Sequence, residues 1–119
     1  MDNMKERRQY IRTELPIPAI IRIKQQNNTM EEINTQSKNI SAQGMMVELD
    51  KKLAEETDIE LNLMPKSSSN PIHIIARITR STKIEGKSLY TTGISFVKIE
   101  EDNKNSFLKF LCDTIYKLS

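Results

Sequence analysis

Hydrophobic residues recur at every second position along most of this chain and change to helical spacing only near its end. Ala19-Ile20-Ile21-Arg22-Ile23-Lys24 reads as a strand with Ile21 and Ile23 on one face. Met45, Val47 and Leu49 share one side of a strand that follows Gly44, and Asp58 to Leu63 alternates cleanly. Ile72, Ile74, Ala76 and Ile78 form the inward face of a longer strand ending near Arg80. The returning strand, Leu89 to Val97, is expected to be pinched or bulged at Gly93. A more polar strand fits between Glu32 and Ile40. Turn chemistry marks Gln26 to Thr29 and Glu85-Gly86-Lys87, and Pro65 to Pro71 is the most loop-like segment. Lys51 to Thr57 is a connection with room for one helical turn, while Pro16 and Pro18 oppose a helix at the entry to the first strand.

The period changes after Glu100, Glu101 and Asp102, acids suited to a helix N-terminus. Phe107, Leu108, Leu111, Ile115 and Leu118 then recur at helical spacing, widened by Phe110, with Lys109 and Lys117 on the polar side. Six strands with hairpin-length connections and no helix between them predict a mostly β fold, a six-stranded antiparallel barrel followed by one C-terminal helix. The expected division is a basic arm over residues 1–18, a barrel over 19–99 and a helix over 100–119, all within a single domain. The helix would cover an open end of the barrel or pack against a partner.

Composition narrows the function. A chain of 119 residues has room for one modest core, and 37% hydrophobic with 29% charged residues favours a folded domain over a disordered one. A net charge of +2 is too small to attract polyanions generally, so a basic role has to come from the local cluster Lys5, Arg7, Arg8 and Arg12. By composition alone that cluster is a solvated charge run. The lone cysteine, Cys112, excludes an internal disulfide and falls in the apolar helical pattern as a buried thiol. Neither a signal-like N-terminus nor a bilayer-length apolar run is visible, so a cytoplasmic protein without membrane insertion is expected.

Catalytic chemistry is poorly supplied. His73 alternates with Ile72 and Ile74 and so faces outward. The paired acids Glu31-Glu32, Glu55-Glu56 and Glu100-Glu101 fall in turns or helix starts. No metal-ligand spacing, nucleophile elbow or phosphate-cradling glycine loop occurs. The reading is a binding protein, not an enzyme, with no cofactor and no metal.

Two short motifs carry binding chemistry. Arg8-Gln9-Tyr10-Ile11-Arg12 places two guanidinium groups, suited to phosphate oxygens, guanine edges and aromatic faces, on a segment too polar for a core. Asn39-Ile40-Ser41-Ala42-Gln43-Gly44 ends a strand with an amide, a hydroxyl and a glycine that allows close approach to the backbone. Taken singly each is weak, because Asn39 and Ser41 also suit a turn and Gly44 a positive φ. In this order and spacing, with Ala76-Arg77-Ile78-Thr79-Arg80 and Gly93-Ile94-Ser95-Phe96 as later strands, the chain resembles the PilZ domain family from about Lys5 to Leu118.

That resemblance implies a six-stranded PilZ-type barrel with a C-terminal helix and, as ligand, the bacterial second messenger cyclic di-GMP. Arg8 and Arg12 would hold its phosphates and stack on or bond its guanines. Asn39 and Ser41 would bond guanine and backbone groups from the barrel surface, and Gly44 would keep that surface open. Arg7 adds a third guanidinium, which in the family accompanies an intercalated pair of ligands. Many members have Asp where this chain has Asn39, an amide that both donates and accepts. The expected protein is a stand-alone monomer or weak homodimer that signals to an unidentified effector protein as its arm becomes ordered. The alternative is an adaptor acting by protein–protein contact without nucleotide. A single-stranded nucleic-acid binder is disfavoured, because three Tyr, three Phe and no Trp leave few stacking rings.

Overall fold

The structure is a computed structural model and describes residues 16–65, 70–100, 104–105 and 107–109. Six strands run in chain order: β1 Pro18–Lys24, β2 Met30–Ile40, β3 Gly44–Leu49, β4 Asp58–Leu63, β5 Ile72–Lys83 and β6 Tyr90–Ile99. All neighbouring pairs are antiparallel, and the ladder closes in the order β1-β2-β3-β6-β5-β4, with β4 returning to β1. The expected barrel is therefore present. The long connection Lys51 to Thr57 contains turns and no helix. It is bonded to β5 instead: Glu56 N–H donates to Ile78 O at 2.7 Å, and Ile78 N–H to Thr57 O at 2.9 Å.

The alternation read from sequence fills the barrel. Ile21 and Ile23 from β1, Met45, Val47 and Leu49 from β3, and Ile72, Ile74, Ala76 and Ile78 from β5 are all buried. Ile59, Leu61 and Leu63 of β4, with Ala19, Ile40, Leu53 and Ile94, add to the interior. Burying an aliphatic side chain of this size contributes roughly 1.5–3 kcal/mol, so this interior is the main source of stability. The chain joins the barrel at Ile17, ahead of residue 19. Its side chain is in the core, its N–H donates to Ser37 Oγ at 3.0 Å, and its carbonyl accepts from Ser37 N–H at 2.9 Å.

Residues 104–105 and 107–109 are helical. Phe107 is buried in the core cluster and meets Phe96 edge to face, with ring centroids 5.6 Å apart. The start of the helix is thus packed against the barrel core through Phe107. Leu108 is exposed, and Phe110, Leu111, Cys112, Ile115, Lys117 and Leu118 lie outside the described residues. No helix among the described residues is long and apolar enough to cross a membrane.

Three strand irregularities interrupt the regular pairing. In β2, Ser37 pairs with Val47 and Asn39 with Met46, so Lys38 is an extra residue. In β5, Ile78 pairs with Ile94 and Arg80 with Gly93, so Thr79 is extra. In β6, Val97 is extra between the partners of Ile75 and Ala76. Each bulge reverses the alternation beyond it. The irregularity expected at Gly93 is thus real, but the added residue lies across from it on β5.

Candidate ligand-binding site

The two bulges at Lys38 and Thr79 shape one stretch of the barrel's outer wall. Without the bulge at Lys38, regular alternation would make Asn39 continue the inward series of Thr35 and Ser37. With it, Asn39 faces out and Ile40 turns into the core. Without the bulge at Thr79, regular alternation would make Arg80 follow Ile72, Ile74, Ala76 and Ile78 inward. With it, Thr79 and Arg80 both face solvent and Ser81 is buried. Ser81 Oγ then accepts from Leu53 N–H at 3.1 Å. A buried charge at Arg80 would be strongly unfavourable, and the bulge removes it from the core.

Strand register sets Asn39, Met46, Gly93 and Arg80 in one row across β2, β3, β6 and β5. Gly44 and Ser95 begin the next row. A cleft of about 330 Å³ lies over these rows, with Ser41, Gln43 and Thr79 at its margins. The structure therefore brings Asn39, Ser41 and Gly44 together. Arg7, Arg8 and Arg12 lie outside the described residues. Sequence reasoning did not single out Thr79, Arg80, Gly93 or Ser95 as site residues. The signal that could have found them was parity, since an arginine in phase with four inward apolar residues requires a break in the strand.

Local bonding explains the turn that carries the second motif. Ser41 N–H donates to Gly44 O at 2.9 Å, and Ser41 Oγ accepts from Gln43 N–H at 3.2 Å. Gln43 O in turn accepts from Phe96 N–H at 2.9 Å, which ties the turn to β6. The hydroxyl of the buried Ser41 thus already shapes the turn. We expect Ser41→Ala to lose about 1 kcal/mol in urea unfolding of the ligand-free protein. An unchanged midpoint would show that the turn does not depend on the hydroxyl.

Gly44 is also required by the packing of the strands, and not by a positive φ. It is not among the positive-φ residues, whereas Gly86 in the β5–β6 turn is, at φ 80°. A Cβ at Gly44 would overlap the backbone carbonyl of Ile94. Close strand approach, not turn conformation, selects glycine here.

Charge is also distributed unevenly. Among the described arginines, Arg22 pairs with Glu32 at 2.9 Å and Arg77 with Asp58 at 2.9 Å. Arg80 has no ion pair or side-chain hydrogen bond among the described residues, and neither does the Asn39 amide have a side-chain partner. Hydrogen bonding to Asp58 raises the pKa of Arg77, and hydrogen bonding from Lys51 lowers that of Glu31. Neither residue lines the cleft. The described residues contain no group of three or more His, Cys, Asp or Glu side chains placed to hold a metal.

The PilZ domain family model matches residues 6–112. This chain belongs to the PilZ domain family. No curated protein matches it. Among solved structures, the Bacillus subtilis inhibitor of motility MotI/DgrA superposes with a TM-score of 0.70 at 23% identity, over 93% of this chain and 52% of that one. The MrkH–c-di-GMP complex of K. pneumoniae gives 0.70 at 22% identity, over 94% and 53%. The PilZ domain of YcgR from Escherichia coli, solved with c-di-GMP, gives 0.65 at 16% identity, over 94% of both chains. This PilZ chain therefore spans about half the length of the first two and nearly all of the third.

Proposed function

We propose that this PilZ domain is a receptor for cyclic di-GMP that holds the ligand between its outer wall and its N-terminal arm. The observation that carries this reading is where the chain enters the barrel. Ile17 is bonded to Ser37, two residues along β2 from Asn39, so the arm begins beside the cleft. Arg12 is five residues before Ile17, within a reach of about 17 Å, and Arg8 is nine residues before it, within about 30 Å. Both reaches are ample for a cleft that starts two residues from the anchor.

The chemistry is complementary. The ligand carries two phosphates and two guanines. Guanidinium forks suit the phosphates and the paired N7 and O6 acceptors, and the Asn39 amide offers both a donor and an acceptor to a guanine edge. Support also comes from family membership and from relatives solved with c-di-GMP. Arg7, Arg8, Arg12, Asn39, Ser41 and Gly44 form the proposed contact set. Ordering of the arm over the wall would present a changed surface to an effector protein.

Calorimetric titration with cyclic di-GMP, with a linear guanine dinucleotide as control, tests the reading. We expect saturable heat and a higher melting temperature with ligand. Ligand at a hundred times its Kd adds about 2.7 kcal/mol of stability. No heat at tens of micromolar would retire the receptor and leave an adaptor that works by protein contact alone.

A further inference from the structure

Within the row Asn39, Met46, Gly93, Arg80, the third position has no side chain. Met46 on β3 and Arg80 on β5 flank Gly93 on β6 and face outward, and all three line the cleft. Two strand spacings separate the flanking backbones by about 9.5 Å. A planar ring contacted on both faces at van der Waals distance needs about 7–8 Å between the contacting groups. The gap over Gly93 thus has the width of one flat base held between two side chains. Any side chain at position 93 would occupy it, and a Cβ there already comes within 2.8 Å of Thr79 Oγ1.

The walls of this gap suit a purine. Met46 offers a polarizable thioether, and Arg80 a planar cation with no competing partner among the described residues. We infer that Arg80 stacks its guanidinium plane on a guanine base of the ligand, inserted over Gly93 against Met46. This role rests on the cyclic di-GMP reading and adds to it a base-sandwiching residue outside both sequence motifs. It also separates the work of the arginines, with Arg80 on a base face and the arm free to engage phosphates.

The test is a cyclic di-GMP titration of the parent protein and of Arg80→Ala, Arg80→Lys and Arg80→Tyr, with ligand-free melting temperatures alongside. Lysine keeps the charge and loses the plane, while tyrosine keeps a plane and loses the charge. We expect alanine and lysine to weaken binding by about tenfold, within the range for loss of one base-stacking contact. Tyrosine is expected to stay within a few-fold of the parent. An alanine variant that binds like the parent overturns the contact. Recovery by lysine overturns the stacking, as does failure of tyrosine in a protein that melts like the parent. If alanine does not fold, the lysine and tyrosine variants decide the matter, since both keep a long side chain at an exposed position. A parent protein that gives no heat overturns the receptor reading itself and this role with it.

Discussion

Arg8→Ala and Arg12→Ala are each expected to weaken cyclic di-GMP binding by about tenfold to a hundredfold, because a hydrogen bond to a charged group is worth roughly 1.5–3 kcal/mol. The ligand-free melting temperature should stay close to the parent's, since the described residues, from Ile17 to Phe107, already form a continuous core. Exchange of both arginines should weaken binding further, though not necessarily additively, because the two groups would share one ligand. Calorimetry and thermal melts on the same samples provide the check. Parent-like binding by both single variants would show that the arm is not part of the site. A fall in melting temperature without ligand would instead assign the arginines to the fold.

Gly44→Ala should have the largest effect on the fold itself. The added methyl would overlap a backbone carbonyl, which cannot rotate away as a side chain can. Relief requires β3 and β6 to separate, and overpacking of this kind costs about 1–3 kcal/mol. For a domain near this size each kcal/mol lowers the melting temperature by about 4–8 °C. The same separation would displace the Ser41–Gly44 turn, which Gln43 O holds to Phe96 N–H, so ligand binding should fall as well. A variant that melts and binds like the parent would show that the strands can part at this point without loss.

The barrel was legible because its interior positions alternate. Ile72, Ile74, Ala76 and Ile78, like Met45, Val47 and Leu49, are inward residues whose identity alone reports their side. The second motif was legible as well, since its polar residues end a strand next to a glycine. Register was not legible. Lys38 and Thr79 are ordinary strand residues, and only the pairing with β3 and β6 marks them as extra. For that reason Arg80 escaped notice as part of the cleft, although its phase with four buried residues was a warning. The reason for Gly44 was hidden likewise, because the carbonyl it accommodates belongs to Ile94, fifty residues further along the chain. Contacts between distant segments have no periodic signature.

Because β4 pairs back onto β1, every described strand has a hydrogen-bonded neighbour on both sides. Among the described residues, backbone open to a further strand is therefore confined to overhangs such as Met30–Gln36 of β2, which pairs with β1 and not with β3. Over the rest of the wall a partner meets side chains, and so a surface whose shape and charge the proposed nucleotide would change.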